Sequence, residues 1–311
     1  MKVVVTGGAG FVGANLCRSL VRQGHDVVVI DDLSTGFRSN LTDLPVTLQV
    51  GSILDVATVE RTVAGADSVV HLAARGSVPR SIAEPVATNQ VNVTGTLNVL
   101  QAARSVGAHI IVASSSSVYG ANTYSPKHEG LQTIPMSPYA ASKLAAESYA
   151  LAFQRVYGLD TLVFRFFNIY GPLQSARHDY AAVVPAFTSS LIDGVPLKVF
   201  GDGKQSRDFT SVQTVVGVLI ESIRRRVTHD GPVNLAFGSQ TTLVDLIGAL
   251  EELTDATADI EWCSPRVGDI RASCADGTQL RSLFPGVQPQ SLIDGLRETV
   301  AWFHETGGRQ L

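Results

Sequence analysis

The chain is poor in residues that cross-link a protein, span a membrane or pull it towards a polyanion. Only three cysteines occur in 311 residues, Cys17, Cys263 and Cys274. Their odd number and irregular spacing form neither a disulfide framework nor a metal-ligand pattern. Cys17 falls inside an apolar helical stretch and reads as a small buried hydrophobe. No apolar run approaches the roughly 20 residues that a membrane helix needs. Charged residues make up 17% with a net charge of −4, which leaves no basic surplus for nucleic acid or a membrane surface. The densest basic cluster, Arg224-Arg225-Arg226, ends an apolar helix and reads as its solvated last turn. An apolar strand begins at Lys2, leaving no room for a secretion signal, so a cytoplasmic location is expected. Repeats, low-complexity tracts and disordered linkers are all missing.

What is present is a hydrophobic fraction of 45%, enough for one large domain or two with a substantial core. The first half alternates short apolar runs with helical patterns. Strands are expected at Val3–Val5, Val27–Ile30, Val46–Val50, Ser68–Leu72, Ile110–Ala113 and Thr161–Phe166. Helices are expected at Phe11–Arg22, Val56–Val63, Pro85–Val106 and Pro138–Val156. Apolar strands without polar alternation, separated by helices, imply a parallel sheet covered on both faces, a doubly wound α/β domain. After Phe166 the loops lengthen, at 168–180 and 200–209, and Pro265–Asp269 is rich in turn formers. Helices follow near 277–283 and 291–304. A smaller C-terminal α/β unit over the carboxyl edge of the sheet is the natural reading, because ligands bind at that edge. Residues 1–166 then form the nucleotide-binding half and 167–311 mainly the substrate-binding half, with some segments returning to the first.

Gly7-Gly8-Ala9-Gly10-Phe11-Val12-Gly13 follows a strand and opens a helix. Gly7, Gly10 and Gly13 allow a tight turn and a close approach of a pyrophosphate to the helix N-terminus. Asp31 ends the second strand, 18 residues after Gly13, where an acid bonds the adenosine ribose. Asp32 beside it repels a 2′-phosphate, so NAD is favoured over NADP.

Tyr139 and Lys143 are four apart and project from nearly the same helix face. A cation held there favours the phenolate and makes Tyr139 a base near neutral pH. Ser137-Pro138 starts that helix, serine as N-cap and proline at the first position. Alone the pair is a weak signal, but it stands downstream of a dinucleotide loop and a serine cluster at Ser115.

With these residues in place, the chain closely resembles the extended short-chain dehydrogenase/reductase family, specifically the nucleotide-sugar 4-epimerases. The landmarks are Thr6–Gly13, Asp31–Gly36, His71–Ala74, Asn92–Thr96, Ser114–Gly120, Tyr139–Lys143 and Arg165–Pro172. More specific are Phe200–Phe209 and Arg266–Asp269, which resemble nucleotide-diphosphate-binding elements that plain dehydrogenases lack. The resemblance implies a Rossmann-type fold and an isomerase that acts on UDP-sugars as a homodimer. It makes Tyr139, Lys143 and Ser115 catalytic. It places Gly7, Gly10, Phe11, Val12, Gly13, Asp31, Ser52, Ile53, Leu72, Ala73 and Lys143 against the cofactor. Substrate contacts fall to Ser116, Ser117, Asn168, Arg177, Arg207, Arg266, Asp269 and Ser273. Of these, Asn168, Arg207 and Arg266 match diphosphate positions and Asp269 a ribose contact. Ser52 departs from the acid the family often carries there.

The implied reaction is transient oxidation at C4 of the sugar and return of hydride to the other face, with Lys143 lowering the Tyr139 pKa and Ser115 sharing the O4 proton. The 4,6-dehydratases carry an acidic pair next to the catalytic hydroxyl, and UDP-glucuronate decarboxylases a Glu at the place of Ser117. Here Ser116 and Ser117 offer no group of useful pKa to divert the 4-keto intermediate, so epimerisation is the expected outcome. Ser273 matches a position where a large Tyr excludes N-acetyl groups, and serine leaves that volume open. Arg177 or His178 would suit a C6 carboxylate, though an exposed loop charge explains either equally well. Glucose, N-acetylglucosamine and glucuronic acid all stay open, with a slight lean to the last from the serine string.

His71 reads as a satisfied strand-end group and Asn92 as a bridge between helix and sheet. Asp202, Asp208 and Glu147 show no pairing that suggests a metal. A dehydratase or decarboxylase, a non-catalytic NAD-binding regulator and an NADPH reductase are the competing readings.

Overall fold

The computed structural model describes residues 1–176, 181–265 and 271–308. In chain order the first half runs β1 (Lys2–Thr6), α1 (Phe11–Arg22), β2 (Asp26–Asp31), β3 (Thr47–Val50), α2 (Val56–Val63), β4 (Ser68–His71), α3 (Val78–Ala83), α4 (Pro85–Asn89), α5 (Thr96–Val106), β5 (His109–Ser115), α6 (Pro138–Tyr157) and β6 (Thr161–Phe166). The rest runs β7 (Asn168–Tyr170), α7 (Val183–Asp193), β8 (Leu197–Phe200), β9 (Ser206–Arg207), β10 (Phe209–Ser211), α8 (Val212–Arg225), β11 (Pro232–Leu235), β12 (Thr241–Thr242), α9 (Leu243–Thr254), β13 (Ile260–Cys263), β14 (Ala272–Ser273), α10 (Thr278–Leu283) and α11 (Leu292–Thr306).

Seven strands form one sheet in the order β11-β6-β5-β4-β1-β2-β3, and every pairing in it is parallel. The unbroken valine runs follow from this geometry, because successive side chains of a strand enter opposite faces and both are covered. Val3 and Val5 pack on one face with Leu16 and Leu20 of α1 and Val215 and Leu219 of α8. Val4 and Ile30 point the other way, onto Val59 of α2, Leu100 of α5 and Ala150 of α6. Each fully buried Val or Leu contributes roughly 1.5–3 kcal/mol, so both layers are pinned by the same short strands. The expected doubly wound sheet is the fold observed. Its last strand, β11, comes from well beyond Phe166 and pairs with β6.

A third core joins Phe187 and Leu191 of α7, Val199 of β8, Leu246 and Leu250 of α9 and Leu296 of α11. This unit stands on the carboxyl side of the sheet. Two stretches read as loops from the sequence carry short strands there: β7 pairs with β10, and β9 lies between β12 and β14. They are two or three residues long, too short for any periodicity to reveal.

The helix expected across 85–106 is not uniform. Between α4 and α5 the backbone widens into a π-helical segment, Gln90–Gly95. Such widening is frequent at functional sites, and here it carries Asn92.

Candidate active site

The parallel sheet delivers five strand ends to one edge. The strand order reverses between β1 and β4, which opens a crevice at a topological switch point. The glycine loop leaves β1, Asp31 ends β2, Leu72–Ala74 leave β4, Ser115 ends β5 and Phe166–Phe167 leave β6. The loop is shaped by what a side chain would strike. Gly7 sits at φ +71°, and a Cβ there would lie 2.7 Å from the backbone N of Ala73. A Cβ on Gly13 would fall 2.3 Å from the carbonyl oxygen of Gly7.

The crevice is a trough of two lobes that share Gly7, Gly10, Leu72 and Ala74. One lobe is walled by Asp31, Asp32, Ile53, Ala73 and Arg75. The Asp31 carboxylate accepts from the backbone N–H of Ala9 and of Leu33, both at 2.9 Å. Burial raises its pKa while those two donors oppose the shift. Arg75 pairs with Glu84, so this lobe keeps a net negative wall. The other lobe holds Phe11, Val12, Gly13, Ser115, Tyr139 and Lys143.

Helix α6 supplies the reacting end. Its N-cap Ser137 accepts from the Ala140 N–H at 3.1 Å, with Pro138 at the first position. This start sets the phase of a polar stripe, Tyr139, Lys143 and Glu147, on a face turned to β5. Lys143 Nζ donates to the Ala113 carbonyl at 2.9 Å, and Ser114 Oγ donates to Glu147 Oε2 at 2.7 Å. Ser115 Oγ accepts from the Ser117 N–H at 3.2 Å and the Ser117 hydroxyl at 2.9 Å. With two donors on its oxygen, the Ser115 hydrogen is left for a third partner. Burial pushes the Tyr139 phenol above the ordinary value, and the Ser115 side chain acts against the rise. Burial pulls Lys143 down to about 8.

Lys143 stands on the same helix face as Tyr139 and is held by the strand carbonyl of Ala113, while the Ser115 side chain acts against the rise of the phenol.

The backbone of Tyr139 is fixed from two sides. Its N–H donates to Ser81 Oγ at 3.0 Å, and its carbonyl accepts from Ser142 Oγ at 2.8 Å. Ser142 is held in turn by Asn92 Nδ2 at 2.9 Å, and Asn92 Oδ1 accepts from the Arg75 N–H at 2.8 Å. The π-helical residue therefore clamps the loop after β4 to α6. His71 bonds Thr6 Oγ1 at 2.7 Å and Thr96 Oγ1 at 2.9 Å, a satisfied strand end. Burial, and secondarily Lys143, bring its pKa down to about 3.

Not every expected residue reaches the trough. Ser52 turns away, its Oγ accepting from the Leu54 N–H at 3.2 Å, because it begins the turn into α2 and not a wall. Ser116 and Ser117 form a 3₁₀ turn behind Ser115. Asn168 donates to the Asp208 carbonyl at 3.2 Å, while Phe167 and Ile169 on either side of it line the trough. Arg207 lines a second cavity with Phe200, Gln205 and Leu243. Ser273 stands in register with Arg207 on the adjoining parallel strand. Arg177, His178, Arg266 and Asp269 lie outside the described residues.

Two site residues were not singled out from the sequence. Gln174 lines the reacting lobe beside Phe166, and only the fold brings it there. Asp208 is buried beside Arg207 and accepts from Gly238, Ser239 and Ala275 backbone N–H groups at 3.0, 3.2 and 3.1 Å. It ties together the loops around β9, an organising role that no spacing discloses.

A sequence profile described as the NAD dependent epimerase/dehydratase family matches residues 3–236. The UDP-glucose 4-epimerase of Mycolicibacterium smegmatis is 36% identical over 317 residues, covering 97% of this chain and 98% of that protein. Among solved structures, the UDP-N-acetylglucosamine 4-epimerase of Methanobrevibacter ruminantium in complex with UDP-N-acetylmuramic acid is similar at a TM-score of 0.92 and 36% identity, with 98% of each chain covered. The UDP-glucose 4-epimerase of Thermotoga maritima with UDP-glucose is similar at a TM-score of 0.93 and 34% identity, covering 98% of this chain and 99% of that one.

Proposed function

This chain belongs to the NAD dependent epimerase/dehydratase family, and from that membership we propose that it inverts C4 of a UDP-sugar with Tyr139, Ser115 and Lys143 as its catalytic groups. It is an isomerase that depends on NAD. The observation that carries the reading is the junction of two features: a glycine-walled trough with Asp31 at one end, and Ser115, Tyr139 and Lys143 together at the other. That trough fits a dinucleotide. Asp31 keeps acceptor capacity for ribose hydroxyls, Gly7 and Gly13 leave room for a pyrophosphate at the start of α1, and Lys143 stands near the reacting end. Bound NAD supplies acceptance of a hydride from C4 and its return.

The protein's own groups manage the proton. Tyr139 takes it from the sugar 4-hydroxyl, and its burial makes the phenolate a strong base once formed. Ser115 presents its hydrogen to the oxygen that carries charge, first Tyr139 and then O4, because Ser117 already saturates its acceptor side. Lys143 holds the ribose next to the nicotinamide and adds positive charge. The 4-keto sugar turns within the pocket before Tyr139 returns the proton to O4. Neither Ser116 nor Ser117 carries a carboxyl group to remove water or promote loss of carbon dioxide, which favours plain epimerisation over those branches.

In this reading residues 1–166 carry the cofactor and 167–311 mainly the nucleotide sugar, as a homodimer. Asn168, Arg207 and Arg266 meet the diphosphate, and Asp269 the uridine ribose. The small Ser273 beside Arg207 admits a bulky sugar, so UDP-N-acetylglucosamine and UDP-glucuronic acid stand with UDP-glucose as substrates. The test is to incubate purified protein with each of the three and resolve the products by NMR. Conversion of one to its C4 epimer, without stoichiometric consumption of NAD, is expected. If none reacts with NAD added, the epimerase reading fails for these sugars.

A further inference from the structure

We infer that Arg80 is an anion-binding side chain that grips the NAD diphosphate from the side opposite the glycine loop. Arg80 lies on α3 and lines a cavity with Gly10, Phe11, Gly76, Ser77 and Gln174. Gly10, Phe11, Gly76 and Gln174 also wall the reacting lobe of the trough, so the two spaces are continuous. Gly10 and Phe11 mark the start of α1, where a pyrophosphate meets the backbone N–H groups. Arg80 therefore faces that point from across the crevice.

Its charge is uncommitted. Only its backbone N–H is engaged, by Ser77 Oγ at 3.2 Å, and among the described residues its guanidinium makes no hydrogen bond or ion pair. Among the described residues that line the trough, the cations are occupied: Arg75 pairs with Glu84 and Lys143 bonds Ala113. A diphosphate brings two negative charges into a crevice that already contains Asp31 and Asp32. The start of a helix offsets only about half a charge. A guanidinium fork matches two phosphate oxygens at once, and Arg80 is placed to supply it. The position is rigid as well as close. The next residue, Ser81, accepts from the Tyr139 N–H at 3.0 Å, which ties α3 to the catalytic helix.

The inference rests on the trough holding NAD and not on the identity of the sugar. The same fork would also suit a carboxylate on the sugar, so the experiment separates the two. NAD affinity is measured by isothermal titration without any sugar, for the wild type, Arg80→Gln and Arg80→Lys. Arg80→Gln is expected to weaken NAD binding about tenfold, equivalent to about 1.4 kcal/mol, and Arg80→Lys to recover part of the loss. Binding to the wild type should also fall more steeply with salt than binding to Arg80→Gln. Unchanged NAD affinity in both variants overturns the assignment. If kcat/KM then drops for UDP-glucuronic acid and not for UDP-glucose, the anion is the sugar carboxylate and the diphosphate role is refuted. Should the wild type bind NAD yet epimerise none of the sugars, the proposed reaction fails while the Arg80 titration still decides its own question.

Discussion

The ammonium of Lys143 donates to the carbonyl oxygen of Ala113 at 2.9 Å, so the lysine that helix spacing aligns with Tyr139 is anchored to the neighbouring strand. Ser115, whose oxygen accepts twice from Ser117, acts against the rise that burial imposes on the Tyr139 phenol. Ser117 thus sets the orientation of Ser115 from a 3₁₀ turn. The turn residue matters by aiming a hydrogen, without reaching the trough.

Removing the phenolic oxygen tests the proton role. Tyr139→Phe should lower kcat by roughly 10²–10⁴, the usual worth of a positioned acid–base group, with KM for the UDP-sugar changed only a few-fold. Ser115→Ala should cost less, because the phenol remains. Steady-state kinetics on the preferred sugar checks both, and a Tyr139→Phe enzyme of near wild-type kcat would remove Tyr139 from its role.

The Glu147–Arg165 pair lies beneath the reacting end. Arg165 Nη2 and Nε bond the two Glu147 oxygens at 2.6 and 3.0 Å, and both side chains are almost fully buried. Glu147→Ala leaves an uncompensated guanidinium and should cost about 3–5 kcal/mol. The double variant Glu147→Leu with Arg165→Met should cost less than that single change. Urea unfolding midpoints for the two give the comparison.

Gly13→Ala places a methyl group 2.3 Å from the Gly7 carbonyl, a backbone atom that cannot swing aside. The strain should destabilise the protein by about 1–3 kcal/mol and weaken NAD binding at the same time. Calorimetric melting with and without NAD should show a lower Tm and a smaller shift on adding the cofactor.

His71 gives a pH dependence whose sign is fixed. Its pKa is depressed to about 3 in the fold against about 6.5 in an unfolded chain. Between those values the unfolded chain binds one more proton at this site, so stability rises with pH. The His71 contribution is complete above pH 6.5 and is lost as pH falls towards 3, at up to about 1.4 kcal/mol per pH unit. His71→Gln should flatten the pH slope of chemical unfolding across that window. An unchanged slope would show that the imidazole does not stay neutral.

Ser273→Tyr fills the space beside Arg207. It should lower kcat/KM for UDP-N-acetylglucosamine by about tenfold or more relative to UDP-glucose, the scale on which a pocket rejects added bulk. An equal effect on both sugars would separate Ser273 from sugar selection.

The glycine loop, the Asp31 strand end and the Tyr139–Lys143 spacing were legible because each rests on local geometry. A left-handed glycine, a strand terminus and a four-residue helical repeat are written within a few consecutive positions. The boundaries of α1, α2 and β6 follow from the same local periodicity. The π-helical segment around Asn92 was not legible, since its apolar pattern is that of an ordinary helix. Nor were the two- and three-residue strands β7, β9, β10 and β14, which exist because other strands lie beside them. Ser52 shows the limit from the other side: it stands next to Ile53, which lines the trough, yet its hydroxyl turns to its own backbone.

The sequence by itself determined the doubly wound parallel sheet, the order of its elements and the residue types available for hydride-transfer chemistry, because periodicity and turn chemistry act over short stretches of chain. Tertiary structure alone decided which of those residues meet. It turned Lys143 to Ala113, brought Gly238 and Ala275 onto buried Asp208 and set Arg80 across from Phe11. Such contacts join residues tens of positions apart, and they depend on how helices seat on both faces of the sheet, which no local pattern records.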